Sequence, residues 1–177
     1  YWFSGYDRGH MVPSADMRWS EDALKATYLY SNVSPQKPEL NRGTWADLED
    51  WMRRYVHYSG HRVFVVTAPI PGKDMPLLNK PKAKADVSIP PAFFKAMVDL
   101  DAPVKKGIAF VMKNGLNDQG VLAYAVSIDS AEALSGLDLF PALDDTLENR
   151  IEAQHNTQDW YGEGDKAMGE VAPLPPP

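Results

Sequence analysis

The residues best equipped for chemistry in this 177-residue chain stand near its start, in Asp7-Arg8-Gly9-His10. An acid, a guanidinium, a glycine and an imidazole follow one another there without a gap. A neutral imidazole is the default general base near pH 7, and Asp7 or a backbone carbonyl could fix its tautomer. Arg8 offers a planar fork suited to phosphate, and Gly9 leaves room for a substrate backbone to approach. Taken alone, the same residues also fit a surface Asp7–Arg8 pair beside a satisfied, partly buried histidine.

A second group lies downstream in "SNVSPQKPELNRGTW" (31–45), which enters a long helical pattern at Asn41. The side-chain oxygen of Asn41 suits a hard cation, and Asn is equally an ordinary helix N-cap. Glu49 follows eight residues later on the same pattern, which at 1.5 Å per residue puts the two Cα atoms roughly 12 Å apart. Helical side chains lean toward the N-terminus, so Glu49 could reach a water held by a metal rather than the metal itself.

Composition narrows the chemistry. The chain has no cysteine, which removes disulfides, zinc–thiolate sites and thiol nucleophiles together; it also suits an oxidising compartment. Hydrophobic residues at 44% and charged residues at 24% are those of a globular domain, so a disordered class is not favoured. The longest apolar run, around Val63–Val66, is far too short to span a bilayer. The formal charge is −6, but it is unevenly spread: residues 132–177 carry ten acidic groups and two basic ones, while residues 1–131 carry sixteen basic and fourteen acidic. A phosphate-binding surface on the first two thirds is therefore electrostatically open.

The elements that must position these residues read as follows. A short helix is expected over "SEDALKATYLY" (20–30), capped by Ser20 ahead of Glu21 and Asp22. The clearest helix is 41–60, where Trp45, Leu48, Met52, Tyr55 and Val56 form an apolar stripe that Ser59-Gly60 brings to a stop. Buried strands are expected at 61–70, 106–114 and 120–128, the last two as a hairpin or as neighbours in one sheet. The run 91–100 fits strand or helix, and 129–136 and 141–154 read as helices. Between them, 69–91 reads as a Pro- and Lys-rich surface loop. The architecture divides into one domain, 1–163, and an extended Pro-rich tail, 164–177.

Taken in order, the three motifs DRGH (7–10), N-x-x-P-Q (32–36) and N-x-x-x-W-x-x-L-E (41–49) closely resemble the core of the DNA/RNA non-specific endonucleases, ββα-metal nucleases that include endonuclease G. "RVFVVTAPI", "VSIPPAFFKAMV" and "LSGLDLFPAL" are similar to later family segments, so the resemblance spans roughly 3–143. It implies an α+β, ββα-metal (His-Me finger) fold with a central, mainly antiparallel sheet flanked by helices. His10 would be the general base that deprotonates water. Asn41 would be the direct protein ligand of one Mg²⁺, for which Mn²⁺ could substitute. Glu49 would hold a water of that ion, Asn32 would help order the site, Arg8 would stabilise charge on the scissile phosphate, and Asp7 would brace the motif. A site that reads only the sugar–phosphate backbone implies cleavage of DNA and RNA, single- or double-stranded, with little sequence preference.

Departures from the family pattern are Tyr28, where several relatives have Asn, and "TAP" at Thr67–Pro69 in place of T-G-P. Relatives usually carry further strands ahead of DRGH, so either a cleaved segment or another chain is expected to complete the sheet, or the fold is a trimmed one. A homodimer and an inhibitor protein are further expected partners, and no membrane. A secreted or periplasmic enzyme is the favoured setting, a mitochondrial one the alternative. The competing reading is a catalytically idle, nuclease-like subunit of a larger assembly. A zinc site from His57 and His61 is disfavoured, because Ser59-Gly60 interrupts the helix between them and no H-E-x-x-H glutamate is present. Trp45, Trp51 and the Phe93–Phe94 pair read as core rather than as base-stacking platforms.

Overall fold

The computed structural model of the chain describes residues 1, 3–78 and 85–160. It begins with strand β1 (Asp7–His10), passes through helix α1 (Glu21–Ala26) and returns as strand β2 (Val33–Gln36). The two strands pair antiparallel, with Asp7 opposite Gln36 and His10 opposite Val33. Helix α2 (Trp45–Ser59) follows, which makes a ββα unit of the N-terminal third. Ser20 caps α1 as expected, its side chain accepting from the Ala23 amide at 3.4 Å. Gly60 closes α2 at φ 68°, a left-handed conformation that costs glycine least.

Four antiparallel strands form the main sheet: β3 (Val63–Ile70), β4 (Ala92–Asp99), β5 (Lys106–Lys113) and β6 (Ala125–Val126), in that spatial order. Alternation along β4 and β5 divides the core in two. Phe93, Met97, Ile108, Phe110 and Met112 pack against the α2 stripe of Trp45, Leu48, Trp51, Met52 and Tyr55. On the other face Phe94, Ala96, Val98 and Ala109 meet α3 (Ile128–Ser135) and α4 (Asp145–Glu152) through Ile128, Ala131 and Ile151. A side chain at position 107 would find no space on that face, because a Cβ there would lie 2.6 Å from Ile128 Cδ1 and 3.0 Å from the Ile151 carbonyl oxygen. The whole is an α+β architecture with a mainly antiparallel sheet flanked by helices.

The structure decides one element that the sequence reading gives as strand or helix, and differs from that reading at two others. The run 91–100 is the strand β4; it is flanked by strands on both edges and covered on both faces, which is why its apolar residues are continuous rather than alternating. The expected strand 120–128 shrinks to a two-residue β6 behind a 3₁₀ turn at Val121–Tyr124. Val121, Leu122 and Tyr124 are apolar because they close one end of the α2 core, not because they extend the sheet. The helix expected over 41–60 starts at Trp45, since Gly43 (φ −108°, ψ −123°) leaves the helical region and separates Asn41 from α2. The 69–91 loop is trimmed by β3 to begin after Ile70, and residues 79–84 of it lie outside the described residues, as does the expected tail 164–177. Among the described residues no helix is long and apolar enough to cross a membrane.

Beside the α2 core, Asp99 anchors a polar cluster. Its side chain is fully buried and accepts from the Tyr55 hydroxyl, from His61 Nδ1 at 2.7 Å, and from the amides of Asp101 and Ala102 at 2.9 Å each. Burial pushes this carboxyl up, yet the hydrogen bonds from Tyr55, His61 and the two amides outweigh it and hold it below its ordinary 3.8. Asp99→Ala orphans Tyr55 and both amides at once, so chemical denaturation should report a loss of about 3–5 kcal/mol. A carboxylate with a depressed folded pKa contributes stability above the unfolded value and loses it as pH falls through the folded one. The wild-type advantage over Asp99→Ala should accordingly shrink below pH 4.

Candidate active site

Asp7 ties the two sequence motifs together. Its carboxylate accepts from Asn41 Nδ2 at 3.1 Å and from both Nε and Nη2 of Arg42 at 2.7 Å. The Arg42 hydrogen bonds hold Asp7 below the usual carboxylate range, with Asn41 adding to the effect. An ionised carboxylate only accepts, so the Asn41 nitrogen must face it. The Asn41 oxygen is thereby turned away and accepts no hydrogen bond among the described residues. That is the arrangement a hard cation requires of an amide ligand. The break at Gly43 makes it reachable, since it releases Asn41 from the helical line of α2 and re-aims it at β1.

His10 ends β1 half-buried, with its ring edge-on to Tyr28 at 5.1 Å between centroids. Its Nε2 is buried and has no hydrogen-bond partner, and burial lowers its pKa below the ordinary 6.5. Burial thus favours the neutral imidazole, and the unpartnered nitrogen is not that of a satisfied core histidine. Tyr28 is the position where relatives commonly carry Asn, and here it supplies an aromatic wall instead of an amide.

Arg8 stands exposed between the rings of Tyr1 and Tyr30, its guanidinium carbon 5.9 and 5.7 Å from their centroids. The alternative Asp7–Arg8 surface pair does not form: Asp7 is taken by Arg42, and Arg8 makes no ion pair among the described residues. Stacking keeps the fork extended while leaving its charge available to an anion. Asn32 uses its whole amide internally, accepting from the Val12 amide and donating to the carbonyls of Val12 and Thr27, each at 2.9 Å. With its own carbonyl accepting from Met11 at 2.9 Å, it clamps the segment that follows His10. It is a positioning residue.

Glu49 sits on α2 with its side chain 17% exposed, and its Oε1 lies 4.0 Å from the Nζ of Lys95, which is almost fully buried. Lys95 rises from the middle of β4 to donate to Thr67 Oγ1 at 2.8 Å and to the Met11 carbonyl at 3.3 Å, one residue past His10. Burial brings Lys95 down to about 8 against the pull of Glu49 and Asp16, and burial pushes Glu49 up against Lys95 and Arg53. Lys95 thus joins the helix bearing Glu49 to the strand bearing His10. Sequence reading passed over it; the one available signal was a lone lysine inside the apolar run "PAFFKAMV". Arg53, one turn beyond Glu49, was also passed over; it pairs with Asp16 at 3.0 Å.

Met11, Val12, Met52, Val56 and Val65 wall a cavity of about 490 Å³ into which Glu49, Arg53 and Lys95 open. His10 and Asn41 do not line it. Two linkages therefore start from opposite ends of β1: Asp7 to Asn41, and Met11 through Lys95 to Glu49. No hydrogen bond joins His10, Asn41 and Glu49 to one another directly among the described residues. Of the disfavoured zinc pair, His61 is engaged by Asp99 through Nδ1, while His57 is exposed with its ring edge-on to Tyr58. Trp45, Trp51, Phe93 and Phe94 are core, none more than 6% exposed.

Comparison with known proteins fits this geometry. The model of the DNA/RNA non-specific endonucleases matches residues 1–146. A nuclease of Nostoc sp. is 34% identical over 85% of this chain and 56% of its own. The mitochondrial nuclease of Saccharomyces cerevisiae is 32% identical over the whole chain and 60% of its own. Human mitochondrial endonuclease G is 34% identical over 78% of this chain and 49% of its own. The crystal structure of endonuclease G bound to EndoGI superposes with a TM-score of 0.64 at 26% identity, covering 81% of this chain and 62% of that one. The chain thus spans about half to three fifths of the length of the relatives it matches. With the three motifs in order, a ββα unit that carries them and a family match over most of its length, the chain belongs to the DNA/RNA non-specific endonuclease family.

Proposed function

We propose that the chain carries the catalytic core of a metal-dependent, sequence-non-specific endonuclease that hydrolyses phosphodiester bonds of DNA and RNA. The observation that supports this best is the Asp7–Asn41 hydrogen bond, which sets a vacant amide oxygen beside the strand that bears His10. That donor set fits a hard divalent ion, with Mg²⁺ the proposed species and Mn²⁺ a substitute; Asn41 would hold it directly and Glu49 through water. When bound, such an ion neutralises charge on the phosphate and stabilises the leaving oxygen. His10 takes the proton of the attacking water. Arg8, which pairs with no carboxylate among the described residues, meets the non-bridging phosphate oxygens. Asn32 holds the backbone on which His10 is mounted. None of these groups contacts a base, so DNA and RNA are both substrates.

The test is a cleavage assay on plasmid, single-stranded DNA and RNA with Mg²⁺ and with EDTA. Metal-dependent loss of all three substrates is expected. Intact substrates beside folded protein would leave the reading of an idle, binding subunit. The acid limb supplies a second check. Protonation silences a histidine base, and burial disfavours the imidazolium of His10; kcat/KM at fixed Mg²⁺ should therefore rise with pH through a midpoint below 6.5 and hold to neutrality. A midpoint above 6.5 would contradict the assignment.

Relatives named mitochondrial nucleases stand beside a nuclease of Nostoc sp., and a nuclease without base specificity calls for confinement away from the genome. An inhibitor protein is a reasonable partner, by likeness to the endonuclease G complex with EndoGI; a homodimer is carried as the further proposal.

A further inference from the structure

The acidity of the C-terminal quarter plays no part in the site just described, and the fold concentrates part of it. Asp129 and Glu132 on α3 and Glu152 at the end of α4 bring carboxylate oxygens within 4.8 Å of one another. They lie on the face of the sheet opposite α2, away from Asn41 and Glu49. Three like charges at that spacing repel strongly unless a counter-charge sits among them. None of the ion pairs among the described residues includes any of the three.

Glu152 adds an independent observation. It is only 5% exposed, and its Oε1 is buried without a hydrogen-bond partner. Buried carboxylates in folded proteins are paired, hydrogen-bonded, protonated or coordinated to metal; this one has neither of the first two among the described residues, and burial with the neighbouring Glu132 pushes it up to about 7, so that a cation in the cluster would replace its proton. Glu132 is already oriented, since its Oε1 accepts from the Leu139 amide at 2.7 Å. Asp129 is exposed and leaves one side of the cluster open to water.

We infer that Asp129, Glu132 and Glu152 form a second divalent-cation site, of calcium type, that fastens α3 to α4. All ligands are hard oxygens, with no imidazole or thiolate to favour zinc or copper. Ca²⁺ takes six to eight oxygen ligands in all, accepts carboxylates in one- or two-oxygen contact and fills the remaining positions with water, which the open side supplies. The ligands come from two helices that converge on β5, and the cluster exists only in the folded chain. Binding therefore stabilises the fold.

Thermal melts and calorimetric titration of the full chain with CaCl₂ against EDTA test this. Wild-type protein should gain about 5–10 °C in Tm at Ca²⁺ a hundredfold above its Kd, a gain that grows with the logarithm of the Ca²⁺ concentration. Glu152→Gln removes the buried charge with little change of shape. It should melt higher than wild type in EDTA and lose the Ca²⁺ response. Asp129→Asn with Glu132→Gln should lose that response too, while Asn41→Ala keeps it. A wild-type Tm that is the same in Ca²⁺ and EDTA overturns the site. So does a Ca²⁺ response that survives Glu152→Gln or disappears in Asn41→Ala.

Discussion

His10→Ala should lower the rate of phosphodiester cleavage by about 10²–10⁴-fold, the usual contribution of a positioned general base, while leaving the Tm and Mg²⁺ affinity at wild-type values. Stability is spared because the ring makes no hydrogen bond among the described residues. Its edge contact with Tyr28 is its one aromatic partner there, and Tyr28 is itself 59% exposed. Truncation relieves an unpaired buried nitrogen as much as it removes packing. Metal affinity is spared because the proposed ligand, Asn41, is held by Asp7 and not by His10. Initial rates on plasmid with saturating Mg²⁺, paired with calorimetric titration of the metal, separate these effects. Turnover equal to wild type would remove His10 from the mechanism; lost metal binding would reassign it as a ligand.

Asn41→Ala should be about as damaging by a different route. It removes the only side-chain oxygen that the Asp7 network leaves free for an ion, and several kcal/mol of charge stabilisation at the phosphate, roughly a 10³-fold loss in kcat, should go with it. Unlike His10→Ala, it should also weaken Mg²⁺ binding, so raising Mg²⁺ would restore part of the rate. Asn41→Asp sharpens the test. It keeps an oxygen ligand but sets a second carboxylate against Asp7 at the 3.1 Å now spanned by a hydrogen bond. Its metal affinity should persist while activity still falls. Wild-type Mg²⁺ affinity in Asn41→Ala would end the ligand assignment.

Much of the fold could be read from periodicity. The α2 stripe emerged because a 3.6-residue repeat of large apolar groups has one helical solution, and β3 and β5 because β-branched and aromatic runs do. The long strand β4 could not be separated from a helix by its own residues, because burial on both faces erases the alternation that marks a strand. The run at 121–126 misled for the converse reason: apolar residues that plug the end of a core carry the same composition as a strand without its ladder. β1 and β2 gave no strand signal at all. Their pairing joins residues more than twenty apart, and such registers are set by tertiary contacts.

The candidate site divides along the same line. The proposed roles of His10, Asn32, Asn41 and Glu49 come from residue type and order, because the chemistry of phosphate and hard cations admits few side chains and the motifs place them in fixed succession. What those residues touch was not. The sequence by itself determined the family, the helices and the proposed carriers of the chemistry. Only the tertiary structure decided that Asp7 pairs with Arg42 instead of Arg8 and turns the Asn41 amide, that buried Lys95 ties Glu49 to the strand of His10, and that Asp129, Glu132 and Glu152 converge. Each of those is an electrostatic contact between segments far apart in the chain, and its strength depends on distances and burial that exist only once the chain has folded.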